Sequence, residues 1–345
     1  MRFSVSCLKD YCEKLMTARG VAPDCAETVA DMLLDAELTG VGTHGVSRLA
    51  IYLERVERGL VSRHNEAKIL RESPSALAID AGNSLGAVGA KFAMEACIRK
   101  ARETGCCFAT VKNSNHFGAA AYYTRMAAAQ GMIGFCCTNL TAKIAPHGAA
   151  EPFMGTNPIS VAVPSGGFPV VLDMTPSVVA LGKLILAQKL GRDIPLGWAL
   201  DRDGKPTTDP AAGRAGSLIP IGGPKGSGLA LMVEVLSGIL SGAGTATHLH
   251  DLYEFDAPQG VGHFMGAIDV SRFLEPDAFR AGVSSMAAEI KGLKLAEGAN
   301  EVLLPGERSA RSAAEKAQTG VDVPEAVCAE LNALGEAYGM KLEEA

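Results

Sequence analysis

A histidine and an arginine four residues apart are the first residues whose types point to chemistry. His44 and Arg48 lie beside Thr43 in a short stretch between two predicted helices. An imidazole can exchange a proton near neutral pH, and a guanidinium can hold a carboxylate through two parallel hydrogen bonds. Together they suit an acid substrate that carries an oxygen to be oxidised or reduced. The structural alternative is a Thr or Ser helix cap followed by a surface arginine.

A second polar stretch, residues 113–118, joins a predicted strand to a predicted helix and contains His116. Ligands of α/β proteins bind at the carboxyl ends of strands, and the start of the following helix offers free backbone N–H groups. This position predicts a second histidine in the site. The alternative is a turn that uses Asn, Ser and Gly for their backbone tolerance, with His116 as a satisfied polar residue.

A carboxylate, Asp173, follows the strand predicted over residues 169–172 and precedes a helix predicted over 177–189. One interpretation makes Asp173 the cap of that helix, with Pro176 at a position where proline suits the first turn. The other makes Asp173 the partner that orients a catalytic imidazole.

A glycine-rich stretch, residues 220–228, precedes the apolar helix predicted over 226–240 and contains Lys225. A glycine-rich turn that leads into a helix, with a lysine beside it, predicts a cradle for a phosphate even without P-loop spacing. The alternative is a flexible loop. Lys143 and His147 lie in a further stretch that either reaches a pocket or faces solvent.

The cysteines and the remaining histidines predict neither a disulfide framework nor a metal site. The nine cysteines contain no C-x-x-C pair, which argues against both a disulfide scaffold and a zinc ribbon. His248 and His250 form an H-x-H pair that lacks a third ligand at suitable spacing. We therefore predict no metal site.

The elements that must position these residues change in character along the chain. Apolar residues at helical spacing predict helices through the first sixty residues and again over 324–340. Strands and helices alternate between them, with strands predicted over 76–80, 106–111, 132–138, 159–163, 169–172 and 262–269 and helices over 84–103, 118–130, 177–189 and 226–240. The pattern predicts a mixed α/β fold in which residues 1–70 with 310–345 form a helical domain and 71–309 the α/β domain.

Composition narrows the class of protein further. The 345 residues are 48% hydrophobic and 20% charged, with a net charge of −6. These values are typical of a globular protein and disfavour nucleic-acid or membrane partners, which select basic surfaces. The first residues include Lys9 and Asp10 where a signal peptide needs an apolar run, so we expect a cytoplasmic protein. Neither G-x-G-x-x-G on a strand-to-helix turn nor a P-loop motif is found, which disfavours an ordinary Rossmann fold.

Seven stretches in this order resemble the type-2 malate/L-lactate dehydrogenase family, also called sulfolactate dehydrogenase-like. They are THGVSR at 43–48, SNHFGAAAYY at 114–123, GTNPISVAVPS at 155–165, GWALDRDGKPTTDP at 197–210, PIGGPKGSGLAL at 220–231, GHFMGAID at 262–269 and LPGER at 304–308. The resemblance covers nearly the whole chain. It implies an NAD- or NADP-dependent oxidoreductase with a non-Rossmann cofactor fold that forms a homodimer.

The resemblance also implies roles for individual residues. His44, Arg48 and His116 would line the substrate site, with Asp173 coupled to a histidine in some members. Lys143 and His147 are weaker candidates for substrate contact. The implied cofactor contacts are Ser114, Asp173, Met174, Thr175, Lys183, Pro224, Lys225, Leu304, Pro305 and Gly306. This chain departs from the family's usual D-M-A-T-S at Pro176, whose ring removes a backbone donor and a hydroxyl that a cofactor could use.

The reaction implied is hydride transfer between the nicotinamide and C2 of a small 2-hydroxy or 2-oxo acid, as in malate, lactate, sulfolactate or ureidoglycolate dehydrogenases. Arg48 would hold the carboxylate, while His116 or His44 would exchange the proton. We favour His116 because it follows a strand end. Two alternatives stay open: reduction of a cyclic imine acid such as piperideine- or pyrroline-2-carboxylate, and a nucleotide-binding homologue without turnover.

Overall fold

The structure, a computed structural model, describes residues 1–342. Strands and helices alternate through the middle of the chain, and helices dominate both ends. The strands are β1 (Arg2–Phe3), β2 (Lys68–Glu72), β3 (Ala76–Asp80), β4 (Cys106–Ser114), β5 (Met132–Thr138), β6 (Ile159–Val163), β7 (Val170–Met174), β8 (Ala199–Leu200), β9 (Pro206–Thr207), β10 (Ser217–Leu218), β11 (Val261–Asp269) and β12 (Val321–Asp322).

The helices range from six to nineteen residues. They are α1 (Val5–Ala18), α2 (Pro23–Leu38), α3 (Leu49–Glu57), α4 (Gly86–Thr104), α5 (Ala120–Ala128), α6 (Leu181–Lys189), α7 (Pro210–Ala215), α8 (Pro224–Glu234), α9 (Pro276–Lys291), α10 (Glu307–Thr319) and α11 (Glu325–Glu336). Among the described residues, none of these helices is both long and apolar enough to cross a membrane.

A seven-stranded sheet in the order β2-β3-β4-β11-β5-β6-β7 forms the centre of the molecule. Only β3 and β4 run parallel, and every other neighbouring pair in this sheet is antiparallel. The late strand β11 inserts between β4 and β5. This order differs from the parallel sheet of a Rossmann fold, and the predicted mixed α/β class with a non-Rossmann centre is confirmed.

Small side chains allow helix α4 to pack closely on this sheet. Its buried face is rich in alanine and includes Ala90, Ala93 and Ala101, which lie in one core with Met265 of β11. Helix α5 contributes Tyr123, which is fully buried and donates a hydrogen bond to the backbone oxygen of Phe117. This hydrogen bond from α5 therefore fixes the loop that follows β4.

The two ends of the chain share a second core. Helices α1, α2, α3 and α11 pack together, and β1 pairs with β12 so that Arg2 lies opposite Asp322. Leu85, Val88 and Leu252 from the α/β region join the same core. A terminal helical unit is consistent with this packing, but the division into residues 1–70 with 310–345 and 71–309 stays a prediction.

Several elements differ from the sequence prediction. The strands predicted over 76–80, 132–138 and 159–163 are confirmed, but β7 extends to Met174, so Asp173 lies within a strand. Helix α6 begins at Leu181 because Ser177 pairs with Pro220 in a β-bridge. The helix predicted over 226–240 is interrupted after Glu234 by a π-helical turn over Val235–Ile239. Helices α9 and α10 were not predicted.

The buried His263 generates a prediction about acid stability. Its Nδ1 lies 2.8 Å from Thr138 Oγ1, its Nε2 lies 2.7 Å from Ser114 Oγ, and burial lowers its pKa to about 3. Between an ordinary value near 6.5 and 3, the unfolded chain binds a proton that the folded chain excludes. The free energy of unfolding should therefore fall as pH falls through this window, by up to about 1.4 kcal/mol per pH unit for one such group.

The measurement is the urea midpoint between pH 7 and pH 4. His263→Gln keeps hydrogen-bonding capacity but cannot titrate, so its midpoint should depend less steeply on pH than that of the unmodified protein. His64→Gln, at an exposed position, is the matched control and should leave the slope unchanged. Equal slopes for all three proteins would contradict the prediction.

Candidate active site

The two histidines predicted from separate stretches lie against each other. His44 ends a short 3-10 turn after α2, and His116 lies in the loop after β4. Their rings are stacked, with centroids 5.5 Å apart and planes 24° from parallel. The structure thus brings together the stretches around residues 44 and 116, which are 72 residues apart in sequence.

The backbone beside His44 is shaped by a buried carboxylate. Glu37, at the end of α2, accepts a hydrogen bond from the backbone N–H of Val46 at 2.9 Å. A Cβ atom on Gly45 would lie 2.0 Å from Glu37 Oε1, so only glycine fits at this position. Glycine is therefore required in the THGVSR stretch because the chain passes directly over a carboxylate.

Arg48 is held in place by two hydrogen bonds to neutral oxygens. Its Nε donates to the backbone oxygen of Thr43 at 2.6 Å, and its Nη1 donates to the hydroxyl of Tyr253 at 2.5 Å. Within residues 1–342, no carboxylate forms an ion pair with Arg48. A guanidinium has five N–H donors, so three remain for an anionic ligand.

His116 is fixed at its ring and at its backbone. Its Nδ1 lies 2.6 Å from the hydroxyl of Tyr52, and its backbone N–H donates to Gln259 Oε1 at 2.9 Å. Tyr52 and Gln259 are both buried. Because Tyr52 occupies Nδ1, Nε2 is the ring nitrogen left to exchange a proton with a ligand.

Burial keeps both histidines neutral. It lowers the pKa of His44 to about 4, with a smaller contribution from the charge of Arg48. Burial also lowers the pKa of His116 well below its ordinary value, assisted by His44, Arg48 and His263. The pKa of Tyr52 is raised by burial. At pH 7 the hydrogen bond between Tyr52 and His116 therefore joins two neutral groups.

Asp173 lies elsewhere than the histidine-orienting prediction requires. Its Oδ2 accepts a hydrogen bond from the backbone N–H of Ala121 at 3.0 Å, so it caps α5 rather than the helix that follows it in sequence. Within residues 1–342 it forms no hydrogen bond with His44 or His116. Although its side chain reaches the surface, the protein packed around the carboxylate raises its pKa to about 6, while Ala121 acts in the opposite direction.

The three main stretches predicted to contact a cofactor meet around β7. The backbone oxygen of Pro176 accepts a hydrogen bond from Ile221 N–H at 2.7 Å, and that of Pro305 accepts one from Val171 N–H at 3.0 Å. A Cβ on Gly306 would lie 2.9 Å from Val171 Cβ. The structure therefore brings together three stretches of the chain. They contain Asp173, Met174 and Thr175, then Pro224 and Lys225, and finally Leu304, Pro305 and Gly306.

The glycine-rich turn before α8 differs from a cradle of free backbone donors. The N–H groups of Lys225, Gly226 and Ser227 donate to backbone oxygens of residues 222, 221 and 223, and Pro224 has no N–H. The exposed Lys225 side chain is the donor left for an anion. His147 lies beside this turn, with its backbone N–H donating to Ser227 Oγ at 3.1 Å.

Ser114 and Lys183, also predicted to contact the cofactor, lie in contrasting environments. Ser114 is fully buried, and its hydroxyl is bonded to His263. Lys183 is exposed on the first turn of α6. A Cβ on the preceding Gly182 would lie 3.8 Å from Thr43 Cγ2, so α6 begins beside the stretch that carries His44.

Lys143 lines a cavity of about 500 Å³. Its Nζ lies 3.3 Å from Asp251 Oδ2, which also accepts a hydrogen bond from Thr141. Tyr253, the residue bonded to Arg48, lines the same cavity. Lys143 thus lines the same cavity as the hydrogen-bond partner of Arg48. The other weak candidate, His147, lies with the predicted cofactor stretches.

A family model described as malate/L-lactate dehydrogenase matches residues 3–332. The chain belongs to this family. A malate dehydrogenase of Pyrococcus horikoshii is 37% identical over 342 residues, covering 97% of this chain and 94% of the relative. The ureidoglycolate dehydrogenase (NAD(+)) of Escherichia coli K12 is 32% identical over 94% and 93%. The (2R)-3-sulfolactate dehydrogenase (NADP(+)) of Chromohalobacter salexigens is 37% identical over 92% and 93%.

Solved structures of family members have the same fold. The sulfolactate dehydrogenase of Methanocaldococcus jannaschii superposes with a TM-score of 0.94 at 35% identity, covering 99% of this chain and 98% of that one. The delta1-piperideine-2-carboxylate reductase of Pseudomonas syringae pvar. tomato superposes with a TM-score of 0.87 at 29% identity, covering 97% and 99%. The resemblance proposed from the sequence is confirmed.

Within the family fold, four side chains around the histidine pair were not predicted as site residues. They are Tyr52, Tyr253, Gln259 and His263. Tyr52 has a sequence signal, since it lies four residues after Arg48 and so on the same helical face. His263 lies in the GHFMGAID stretch, which had been used only to identify the family. Tyr253 and Gln259 lie in an irregular loop without such a signal.

One histidine of the H-x-H pair, His250, lies among potential metal ligands. Within residues 1–342 the candidate metal-ligand group is His250 with Glu254 and Asp256, and His248 is not part of it. Both carboxylates are exposed, 3.9 and 3.7 Å from His250 Nδ1.

The contrasting contacts of the two histidines predict different kinetic effects. His116→Ala should lower kcat at least about a hundredfold, the scale of general acid–base catalysis. It should also remove the pH dependence that titration of His116 produces, which lies below neutrality because burial lowers the pKa of His116. His44→Ala should lower activity but keep a titration, because His116 remains bonded to Tyr52. The measurement is a pair of pH–rate profiles. A flat profile for His44→Ala, with only a raised KM for His116→Ala, would reverse the two roles.

Proposed function

We propose that this chain is an NAD- or NADP-dependent oxidoreductase that transfers a hydride between the nicotinamide and C2 of a small 2-hydroxy or 2-oxo acid. The observation that carries the proposal is the juxtaposition of Arg48, which has no carboxylate partner within residues 1–342, with a stacked pair of neutral histidines. The names of the relatives, which include malate, sulfolactate and ureidoglycolate dehydrogenases, support the same substrate class.

Arg48 supplies the contact that selects an acid. Thr43 and Tyr253 hold the guanidinium before any substrate arrives. A carboxylate that accepts two of its remaining donors gains charge-assisted hydrogen bonds and is also held in one orientation. Because this contact fixes the carboxylate, it also fixes the adjacent C2 carbon relative to the histidines.

His116 is the residue we assign to proton exchange. In the oxidising direction its neutral Nε2 accepts the proton of the 2-hydroxyl group. In the reducing direction the protonated ring returns that proton to the oxygen on C2. The Tyr52 hydroxyl can accept a hydrogen bond from Nδ1–H of the charged ring, which stabilises that form. The low pKa of His116 favours the neutral base at physiological pH.

The residues grouped around β7 fit a dinucleotide. Lys225 offers an exposed ammonium for a phosphate, and the turn at Pro305 and Gly306 packs directly on Val171, as a close approach of backbones requires. When bound, the nicotinamide supplies or takes up the hydride. Relatives named for NAD(+) and for NADP(+) both occur, so the proposal includes both cofactors. A cytoplasmic location stays a prediction.

A second candidate function is reduction of a cyclic imine acid. The structural similarity to a delta1-piperideine-2-carboxylate reductase, at a TM-score of 0.87, favours it. Arg48 would hold the carboxylate in the same way, and His116 would direct its proton to the ring nitrogen instead of an oxygen. A substrate panel that includes piperideine-2-carboxylate distinguishes the two candidates.

The test combines that panel with two variants, one expected to affect the acid substrate and the other the cofactor. The purified protein should oxidise NADH or NADPH with at least one small 2-oxo acid. Arg48→Lys keeps the charge but loses the planar fork, so kcat/KM for the acid should fall roughly tenfold or more while cofactor affinity stays within about twofold. Lys225→Ala should weaken cofactor binding by about tenfold to a hundredfold.

Either of two results would contradict the proposal. Cofactor binding without turnover of any oxo or imino acid would favour a nucleotide-binding homologue. Equal loss of cofactor affinity in Arg48→Lys would show that Arg48 faces the cofactor or supports the fold instead of holding the acid.

We also propose that the protein is a homodimer, since helix α9 has no buried face. None of the residues of α9 is buried, and Phe273, Met286 and Leu293 in and around it are 77%, 56% and 62% exposed. A second copy of the chain would cover an apolar surface of this kind.

The molar mass in solution tests this proposal. Sedimentation should give about twice the mass of one chain, and Met286→Lys should shift the protein toward the monomer because it places a charge in the apolar surface. Tyr338→Lys, at another exposed position near the carboxyl end, is the control and should stay dimeric. A monomeric mass for the unmodified protein would refute the proposal.

A further inference from the structure

We propose that Tyr253 completes the carboxylate site of Arg48 and determines how tightly the acid substrate is held. The inference deepens the proposed function and rests on it, because it concerns the same clamp. No motif points to this tyrosine, which lies 205 residues after Arg48 in an irregular loop. The argument depends on the hydrogen bonds of the phenol, the way the loop is held, and the cavity that Tyr253 lines.

The hydrogen bond between the two side chains leaves the phenol with a proton to donate. Arg48 Nη1 can only donate, so the Tyr253 oxygen accepts at 2.5 Å. No other hydrogen bond of this hydroxyl is found within residues 1–342. Its O–H is therefore directed by the arginine but remains available. A carboxylate bound at the guanidinium can accept this O–H as a third hydrogen bond.

The loop that carries Tyr253 is fixed to helix α3. Arg55, which is almost fully buried, donates to the backbone oxygens of Leu252, Glu254 and Ala257. Arg58 lies over the ring of Phe255, with its guanidinium carbon 4.2 Å from the ring centroid. Tyr253 is thus held on both sides, although its own side chain is 59% exposed.

This anchoring matters because a pre-positioned group binds more tightly. A hydroxyl that already occupies its bound position loses little conformational entropy when the ligand arrives. Within the loop, the backbone N–H of Tyr253 also donates to Asp251 Oδ1 at 3.1 Å. Asp251 in turn accepts from Thr141 and pairs with Lys143. The tyrosine is therefore connected through hydrogen bonds and an ion pair to other residues that line the same cavity.

The cavity gives the rest of the substrate a place to lie. Tyr253 lines the space of about 500 Å³ together with the ion pair formed by Lys143 and Asp251. An acid whose carboxylate lies at Arg48 and Tyr253 can extend its side chain into this space. The walls also include the hydroxyl-bearing side chains of Thr141 and Thr247, which suit a short polar substituent.

An opposite role for the same contact is that the phenol blocks the guanidinium and must leave before an acid binds. The two roles predict opposite effects of removing the hydroxyl. If Tyr253 completes the site, Tyr253→Phe weakens acid binding. If it blocks the site, the same variant binds acids more tightly.

The experiment measures oxalate binding by calorimetry in the presence of saturating NADH or NADPH, whichever the unmodified protein binds. Oxalate carries a carboxylate beside a second oxygen-bearing carbon, and it cannot be reduced by hydride transfer under these conditions. Tyr253→Phe should raise the Kd of oxalate roughly tenfold, the effect of losing a hydrogen bond to a charged group. KM for the 2-oxo acid identified by the panel should rise similarly, and kcat should change less.

Matched variants make the result interpretable. Tyr338→Phe removes the hydroxyl of another exposed tyrosine beside an arginine, Arg19, and should leave both constants unchanged. If Arg48→Lys weakens oxalate binding and Tyr253→Phe does not, this inference fails while the clamp stands. If Arg48→Lys has no effect, or the unmodified protein does not bind oxalate, the clamp and its completion fail together. Tighter binding by Tyr253→Phe overturns the inference in favour of a block.

Discussion

One helical face organises the substrate half of the site. Arg48, Tyr52 and Arg55 follow one another at intervals of four and three residues, so they project from the same side of α3 and the turn before it. Each forms a hydrogen bond with a different part of the chain. Arg48 bonds to the hydroxyl of Tyr253, and Tyr52 bonds to the ring of His116. Arg55 donates to carbonyl oxygens of the loop after residue 251. The relative positions of Arg48, the proposed clamp, of His116, the proposed proton carrier, and of the loop therefore all depend on where α3 lies.

The position of α3 depends in turn on a buried carboxylate. Glu37 accepts the N–H of Val46, and Gly45 lets the chain pass over it without collision. Burial raises the pKa of Glu37, while that hydrogen bond opposes the shift. Burying a charged or polar group is costly unless it is satisfied, and here the satisfied group fixes the direction in which the chain leaves α2. The stretch 43–48 is thus both a structural turn and the source of two site residues.

The sequence predicted short-range features better than long-range ones. Strands β5 and β6 were predicted correctly because uninterrupted apolar runs between turns are local signals. Residue type and spacing also singled out His44 and Arg48, whose roles stay predictions. The partner of Asp173 was not, because the carboxylate caps α5, 52 residues earlier in the chain. The glycine-rich turn before α8 predicted free backbone donors, yet the turn uses them itself. Tyr253 was missed because its role arises only when a loop folds back onto α3.

The same capping contact connects the two halves of the site. Asp173 belongs to the stretch grouped with Lys225 and Gly306, while the helix it caps begins four residues after His116. A cap fixes the entry of the chain into a helix, so the strand that carries the predicted cofactor contacts also holds the end of the loop that carries His116. At the opposite side, Gly182 approaches Thr43. Two short contacts therefore link the predicted dinucleotide surface to the proposed substrate residues. A displacement of β7 would shift the loop that carries His116, and a displacement of α6 would shift the stretch that carries His44. The proposed transfer of a hydride and a proton to the same small acid requires both sets of residues to be held in fixed relative positions, and these two contacts provide that connection.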